Sequence, residues 1–493
     1  MSGTLIFSII IVYFVVLLLI SYLTSRGAKN NTFFIGNRSS KWYLVSFGMI
    51  GASLSGITFI SVPGMVAEEG FTYMQMVIGY LIGYAVIAFI LIPLYYRLNL
   101  TSIYAYLGSR YGERTHLIGA SFFLLSRILG ASVRLFLVAD VLDYFVLGQY
   151  GFNFEFSVLI TLVLIYIYTY RGGIKTIVWT DTLQTTFMLL ALGVSVYLIT
   201  QFLGVETAQE GLNSLGMTNW FLTEDVAPKN YWLKGVLGGF FITLAMTGLD
   251  QDMMQKNLTC KNEKESRKNM LWFSGILFFV NLIFLVLGGL LILYIQQQPE
   301  LYASFMEMDE SKRLDRLFPL VALKSDLGLF IGITFILGLI AAAYSSADSA
   351  LTSLTTSTSV DIFKVDKWKD QNKAEKTRKW IHVGMTLLLF IVILLANVYK
   401  ESNVINTLFH VAGYTYGPLL GLFFFGILSK RKVNDKWIWL VCLLVPTILL
   451  LFKQFEGDLF IHYKVGHELL GINGVLCFVG IWLLSLKSKQ ITH

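Results

Sequence analysis

Apolar stretches of about twenty residues recur from one end of the chain to the other, and they limit its fold more than any other feature. An α-helix needs about that length to cross the hydrocarbon core of a bilayer. Of the 493 residues, 55% are hydrophobic and only 14% are charged, whereas a soluble domain carries about a quarter charged residues. The sequence therefore excludes a soluble globule and predicts an all-α integral membrane protein.

Thirteen transmembrane spans are predicted along the chain. They lie near residues 5 to 24, 43 to 66, 71 to 96, 117 to 147, 155 to 170, 178 to 203, 233 to 254, 270 to 296, 328 to 362, 380 to 399, 405 to 429, 435 to 452 and 466 to 486. Lys and Arg are concentrated in the loops that begin at Arg26, Arg97, Arg171, Lys256, Lys364, Lys430 and Lys487. The positive-inside rule then places the N-terminus outside the cell membrane and the C-terminus in the cytoplasm. This distribution also explains the net charge of +7, so nucleic acid is not an expected partner.

Two of the predicted spans contain a polar interruption that includes glycine. The second span is interrupted at Ser53 to Thr58, and the seventh at Thr247 to Asp252. Irregular backbone is tolerated at membrane depth only where it faces protein or a wet cavity. Broken helices at matching places in two inverted halves are typical of a midplane binding site in a secondary transporter. The alternative interpretation is that serine and glycine only allow close helix packing.

The ninth predicted span carries a segment rich in serine and alanine. On a helix, residues three and four apart share a face, so Ala342, Ser345 and Ser346 form one group. Ser345, Asp348 and Ser349 form an overlapping group. Hydroxyl and carbonyl oxygens can replace the hydration shell of an alkali cation. A packing face would explain the serines equally well, but it explains the acid poorly.

Three acidic residues within predicted spans are candidate site residues: Asp181, Asp250 and Asp348. An acid at the centre of a span costs about 2.5 to 3.5 kcal/mol on insertion scales, so each is a candidate functional residue. Asp181 and Asp348 are expected to need a nearby cation if both are ionised and close together. For Asp181, the alternative is a helix-capping role next to Thr180.

Two arginines and one histidine complete the set of candidates. Arg127 and Arg134 are seven residues apart, and they therefore lie on nearly the same face of the fourth span. They could hold an anionic solute by forked hydrogen bonds, or pair with Asp140, Asp143 or another buried acid. His410 could reach a cavity or be satisfied within the helix bundle. The sequence contains no P-loop, nucleophile with a base, or metal cluster, so it predicts transport driven by an ion gradient and no enzyme.

At these positions the chain resembles the sodium/solute symporter family, which includes sodium-driven sugar, proline and sialic acid transporters with the LeuT-type fold. The motifs that carry the resemblance are Phe33 to Arg38, Leu98 to Leu107, Arg171 to Gly173 with Trp179 to Asp181, and the Ser345 helix with its end at Asp361 to Lys364. The resemblance implies a single transporter domain over residues 1–493. Two inverted five-helix repeats would occupy residues 43–429, with an extra span and loop at 5–42 and further spans at 430–493.

The resemblance also implies two sodium sites. The principal site would use the carbonyl groups of Gly51, Leu54 and Ala342 and the hydroxyl groups of Ser345 and Ser346. The second site, which occurs in the sialic acid branch, would draw on Asp181, Ser345, Asp348 and Ser349. That branch has serine in place of Asp348, so the extra carboxylate is a departure from it.

For the solute, the sialic acid branch is most similar in the first broken helix. Ser53, Ser55 and Thr58 match its substrate-contacting positions, whereas Tyr80 replaces a glutamine. The arginine that reads the sialic acid carboxylate falls at Gly130, with Arg127 and Arg134 nearby. Asp250 and His410 are similar in position to the asparagine and glutamine that contact sugar in sodium/sugar transporters.

The function expected from these features is sodium-coupled import of a small polar solute by alternating access. The solute would be sugar-like or sialic-acid-like, and the expected partners are this solute, sodium ions and the lipid bilayer. The alternatives are a symporter of a monocarboxylate or amino acid, and a transporter-like membrane sensor.

Overall fold

The structure is a computed structural model that describes residues 3–26, 28–214, 216, 219–223, 231–398, 404–454, 465–466 and 468–486. Over these residues the chain is almost entirely helical and contains no strand. The helices are α1 (Gly3–Thr24), α2 (Asn30–Ile35), α3 (Trp42–Glu69), α4 (Met74–Val86), α5 (Ile92–Arg97), α6 (Ala105–Arg110), α7 (Glu113–Leu142), α8 (Phe154–Gly172), α9 (Ile174–Leu203), α10 (Val205–Ser214), α11 (Trp232–Thr243), α12 (Gln251–Asn257), α13 (Glu263–Gln296), α14 (Pro299–Met306), α15 (Glu310–Arg313), α16 (Leu317–Lys324), α17 (Leu329–Ser357), α18 (Gln371–Val398), α19 (Val404–Thr415), α20 (Gly417–Leu428), α21 (Ile438–Gln454) and α22 (Leu469–Leu486).

Among the described helices, seven continuous segments are long and apolar enough to cross a membrane: α3, α4 with α5, α7, α9, α13, α17 and α18. Together, α11 and α12 form an eighth, bent by 67° at a break. Shorter apolar helices lie at Ser8–Thr24, Phe154–Tyr170, Gly417–Leu428, Ile438–Phe452 and Leu469–Ser485. The prediction of an all-helical, multi-pass membrane protein is confirmed, and the count of thirteen spans stays a prediction.

The centre of the bundle is formed by α3 and α17. Buried residues make up 89% of the most apolar window of α3 and 78% of that of α17, compared with 22% for α18. α3 packs against α9, α13 and α17, and α9 packs against α17. The serine-rich part of α17, residues 341–357, is buried throughout, so its polar groups face protein, where they find partners more easily than in lipid.

Glycines allow a close helix crossing between α4 and α11. A Cβ added to Gly79 would lie 2.1 Å from the carbonyl oxygen of Val236, and one added to Gly239 would lie 2.1 Å from that of Met76. Any larger residue would force the two backbones apart, because small residues are what permit such an approach in a membrane. This crossing fixes α11, and with it the start of the second break.

Candidate functional site

The predicted break in the second span is centred on Ser55. Its backbone angles, φ 36° and ψ 170°, interrupt α3 in the middle of the helix. A positive φ is rare for a serine and costs of order 1 to 3 kcal/mol, so the surrounding structure must hold it. Such a break releases backbone carbonyl groups from the helical hydrogen-bond ladder, and these groups become available as ligands.

The second predicted break lies between α11 and α12. The released carbonyl groups of Gly248 and Leu249 accept hydrogen bonds from the hydroxyl groups of Tyr95 (2.8 Å) and Tyr104 (2.9 Å). Asp250 caps α12, because its Oδ1 accepts a hydrogen bond of 2.8 Å from the backbone amide two residues further on. Both breaks predicted from the sequence are therefore present, and buried tyrosines stabilise the second one.

A polar cavity of about 90 Å³ lies between the two breaks. Six of the predicted solute-binding residues line it: Ser53, Ser55, Thr58, Tyr80, Arg127 and Arg134. Its lining also includes polar residues that the sequence does not mark as solute contacts: Tyr73, Tyr84, Thr243, Thr247 and Asn281. Two of these residues are recognisable in the sequence as polar positions within a span. Thr247 belongs to the predicted break, and Asn281 is a polar residue within the apolar stretch of α13.

The two arginines of α7 differ in their surroundings. Arg127 forms a close ion pair with Asp252, and its Nη1 lies 3.8 Å from Oδ2 of Asp250. Arg134 also lines the cavity, and within the described ranges no carboxylate lies within 4.0 Å of its guanidinium. The sequence left open whether the arginines bind solute or pair with a buried acid. Arg127 pairs with acids, and these are Asp250 and Asp252 of the second break and not Asp140.

Two predicted solute contacts are not found among the residues that line the cavity. Asp250 lies behind Arg127 and accepts a close hydrogen bond from the hydroxyl group of Tyr416, so it belongs to a buried ion-pair cluster. His410 lies on α19, outside the lining of the cavity. Asp140, an alternative partner for the arginines in the sequence, pairs with Lys312 and Arg316 near the end of α7.

On the other side of the first break, α3 passes close to α9. The backbone amide of Gly51 donates a hydrogen bond of 3.1 Å to Oγ1 of Thr185. A Cβ added to Gly48 would lie 2.9 Å from Cβ of Asp181, so this glycine allows the approach. Gly51, a predicted carbonyl ligand of sodium, is therefore on the segment of α3 that faces α9. Leu54, the second predicted carbonyl ligand on α3, lines the cavity.

The predicted ligands on α17 lie in the same region. Ala342, Ser345 and Ser346 are buried, and α17 packs against both α3 and α9. Oγ of Ser345 donates a hydrogen bond of 2.8 Å to Oδ1 of Asp181. Oγ of Ser346 has no hydrogen-bond partner among the residues that the structure describes. A buried hydroxyl without a partner is costly, and a cation would satisfy its lone pairs, so the donor set fits sodium.

The other oxygen of Asp181 faces a cation that the sequence analysis had assigned to a loop. Nζ of Lys256 lies 2.8 Å from Oδ2 of Asp181, and both side chains are only 1% exposed. The loop assignment of Lys256 is wrong, because the half-helix α12 continues beyond it to Asn257. In the sequence, Lys256 is a basic residue within two turns of a predicted break. Its role as a buried ion-pair partner becomes apparent only from the position of Asp181 on α9.

Asp348, the second acid of this region, is fully buried. Its Oδ2 accepts a hydrogen bond of 2.8 Å from the hydroxyl group of Tyr168, and its Oδ1 accepts one of 3.2 Å from Ser349. No Lys, Arg or His lies within ion-pair distance of it in the described part of the chain. Each of the two acids therefore accepts a hydrogen bond from a serine of α17, Asp181 from Ser345 and Asp348 from Ser349.

Two broken helices around a buried polar cavity, within an all-helical bundle, define a secondary transporter of the membrane. The family model of the sodium:solute symporter family matches residues 33–437. Because this match covers most of the chain, the protein belongs to the sodium:solute symporter family. It is a sodium-coupled symporter and not an enzyme.

Relatives agree with this assignment. The chain is 24% identical, over 474 residues, to the sodium/sialic acid symporter NanT of Aliivibrio fischeri. The alignment covers 92% of this chain and 89% of NanT. The chain is 26% identical, over 429 residues, to the sodium-coupled monocarboxylate transporter 1 of Mus musculus. That alignment covers 83% of this chain and 66% of the transporter.

Solved structures show the same fold. A substrate-bound, outward-open sodium-coupled sialic acid symporter superposes with a TM-score of 0.83 at 20% identity, over 98% of this chain and 97% of that one. Mhp1, a nucleobase-cation-symport-1 family transporter in a closed conformation, superposes with a TM-score of 0.56 at 14% identity, over 94% of this chain and 96% of that one.

Proposed function

We propose that this symporter imports a sialic-acid-like solute, a sugar-like molecule with a carboxylate, together with sodium. The observation that carries the proposal is Arg134, whose side chain lines the cavity without a carboxylate partner within the described ranges. An unpaired, partly buried charge is costly, so an anionic ligand group would stabilise it. The planar guanidinium matches a carboxylate by two parallel hydrogen bonds.

The remaining polar groups of the cavity favour a solute with several hydroxyl or amide groups. Ser53, Ser55, Thr58, Tyr80 and Asn281 line the cavity beside the arginine. A small monocarboxylate would reach few of these groups, whereas a sugar acid has hydroxyl groups that could bond to several of them. The similarity to NanT supports the sugar acid.

A monocarboxylate or an amino acid is the second candidate. The similarity to the sodium-coupled monocarboxylate transporter 1 favours it, because such a solute also presents a carboxylate to Arg134.

The proposed principal sodium site lies where α3, α9 and α17 meet. Its ligands would be the carbonyl groups of Gly51, Leu54 and Ala342 and the hydroxyl groups of Ser345 and Ser346. The unpartnered hydroxyl of Ser346 supports this placement. Sodium would fix the distance between α3 and α17, and it would thereby complete the solute cavity on the other side of the break at Ser55. A second sodium would draw on Asp181, Ser345, Asp348 and Ser349.

The proposed topology has thirteen spans in a cell membrane, with the N-terminus outside and the C-terminus in the cytoplasm. Residues 43–429 would form two inverted five-helix repeats of the LeuT type within a single domain, flanked by residues 5–42 and 430–493. The superposition on the sialic acid symporter over 98% of the chain supports one transporter architecture throughout. The protein would work in the lipid bilayer by alternating access and without nucleic acid.

The test is thermal stabilisation of the purified full-length protein by a panel of solutes, with sodium or with choline in its place. We expect N-acetylneuraminate to raise the unfolding temperature only in sodium, and galactose and lactate to have a much smaller effect. Uptake of the same solutes into proteoliposomes under a sodium gradient then tests transport.

Arg134→Gln provides the matched variant, because it keeps a hydrogen-bonding side chain and removes the charge. Loss of its hydrogen bonds to a carboxylate should weaken solute binding by about 10- to 100-fold. Sodium binding in the absence of solute should change little. Equal stabilisation by the neutral sugar and the sugar acid, in wild type and variant alike, would contradict the role of the carboxylate.

A further inference from the structure

Lys256 carries a buried ammonium group that belongs to neither the proposed sodium sites nor the proposed solute site. It lies on α12, the half-helix that follows the second break, whereas its partner Asp181 lies on α9. The distance between Nζ and Oδ2 is 2.8 Å, and Asp181 is the only carboxylate of the described residues within 4.0 Å of this ammonium. Burial shields the pair from water and salt, so their attraction is stronger than that of a surface ion pair.

Asp181 connects this ammonium to the proposed sodium ligands. Its second oxygen accepts the hydrogen bond from Ser345, the one serine that both proposed sodium sites share. A sodium ion at the second site would therefore use the same carboxylate as the ammonium of Lys256. Sodium and the ammonium each carry a single positive charge. Because they repel each other, binding of either one to the Asp181 carboxylate weakens binding of the other.

The charges of the region can be counted. Asp181 and Asp348 contribute two negative charges when ionised, and Lys256 contributes one positive charge. One sodium ion neutralises this cluster while Lys256 remains in place. A second sodium would leave an excess positive charge in a buried region, which the low dielectric disfavours.

The position of α12 controls where the ammonium lies. The side chain of Gln251, at the start of α12, accepts a hydrogen bond from the amide of Ile103 (2.9 Å) and donates one to the carbonyl of Thr101 (3.0 Å). The half-helix is thus attached to the segment between α5 and α6 and is separated from α11 by the break. A movement of this unit relative to α9 would change the distance between Lys256 and Asp181.

We propose that the ammonium of Lys256 is a tethered competitor of sodium at Asp181. Sodium at the second site and the ion pair between Lys256 and Asp181 weaken each other, and the ion pair re-forms as sodium leaves. Lys256 thereby lowers the sodium affinity and favours release of the ion on the side with little sodium. The inference rests on the proposed function and adds to it a residue that sets the sodium affinity.

The experiment is a sodium titration of the purified full-length protein, followed by its unfolding temperature, with choline keeping the ionic strength constant. Lys256→Met keeps the apolar length of the side chain and removes the charge. It should lower the sodium concentration for half-maximal stabilisation by about tenfold or more, because a unit charge beside the ion is removed. Lys256→Arg keeps a cation and should remain near wild type.

A double variant, Lys256→Met with Asp181→Asn, separates competition from a general effect on the fold. It lacks both the competitor and the shared carboxylate, so it should lose the gain in sodium affinity that Lys256→Met shows alone. If Lys256→Met does not yield folded protein, Lys256→Gln replaces it, with the same shift expected. Its amide is neutral and can still donate a hydrogen bond to Asp181.

Two results would overturn the inference, and they differ in what they leave standing. If sodium stabilises the wild type but neither neutral variant lowers the half-maximal sodium concentration, Lys256 does not compete, and the proposed sodium-coupled function stands. If sodium does not stabilise the wild type at all, the sodium sites and the competition both fail.

Discussion

Replacement of Ser346 by alanine is expected to separate sodium binding from stability of the sodium-free fold. Ser346 is 3% exposed, and its buried hydroxyl has no hydrogen-bond partner among the described residues. Ser346→Ala should therefore leave the sodium-free protein as stable as wild type or more stable, because a buried unsatisfied polar group costs about 1 to 3 kcal/mol. The same change removes one of five proposed ligands of the principal sodium.

The magnitude follows from the ligand that is lost. A contact between a hydroxyl and a charged group contributes about 1.5 to 3 kcal/mol, so the sodium affinity should fall by about 10- to 150-fold. At a sodium concentration of ten times the wild-type dissociation constant, binding stabilises wild type by about 1.4 kcal/mol and a tenfold weaker variant by about 0.4 kcal/mol. The assay is the unfolding temperature of purified protein across a sodium titration, with choline in place of sodium.

Ser353→Ala is the matched control on the same helix. Ser353 is also buried, but its hydroxyl donates a hydrogen bond of 3.0 Å to the carbonyl of Ala350. It should leave the sodium titration unchanged and reduce the stability of the sodium-free protein instead. If Ser346→Ala shows the wild-type sodium affinity, the principal site does not include this hydroxyl and the reasoning is refuted.

Three further predictions concern the cavity, the extra acid Asp348, and Asp315 in the segment between α15 and α16. Thr58→Val should weaken solute binding by about tenfold, through loss of one hydrogen bond, and leave sodium binding without solute nearly intact. Isothermal titration calorimetry with both ligands checks this. Unchanged solute affinity would place the solute elsewhere. Asp348→Ser should lower the number of sodium ions moved per solute, measured as charge and solute flux in proteoliposomes, and an unchanged ratio together with an unchanged sodium affinity would make this acid structural. Burial raises the pKa of Asp315, between α15 and α16, to about 6, with a further contribution from Asp140. Since this pKa is higher in the folded than in the unfolded state, stability is lost as the pH rises through about 4 to 6, and Asp315→Asn should gain up to about 3 kcal/mol over wild type at pH 7 and nothing below pH 4. Unfolding temperatures of both proteins between pH 4 and pH 8 test it, and a gain that is equal at all pH values would exclude titration of this carboxyl as the cause.

Local patterns in the sequence were sufficient for the helices and for the two breaks. Apolar runs of membrane length predict α3 and α17 because every residue of a spanning helix must be compatible with a nonpolar or protein environment. The polar patches at Ser53 to Thr58 and Thr247 to Asp252 are visible for the same reason, since such residues are exceptional within a span. Helix geometry also predicted that Ser345 and Asp348 share a face.

The tertiary structure decided which charged groups meet. Arg127 and Arg134 lie on the same face of α7 and are equivalent in the sequence, but Arg127 pairs with Asp252 and Arg134 lines the cavity beside it. Likewise, Lys256 follows a predicted break and looked like the first residue of a loop, yet it is buried against Asp181. The physical reason is that helical periodicity is set by neighbours in the sequence, whereas the partner of a buried charge is set by the packing of helices that are distant in the sequence. For this reason the sequence alone determines the all-helical membrane fold, the two breaks and the candidate polar residues, and only the packing of α3, α7, α9, α12 and α17 determines their pairing.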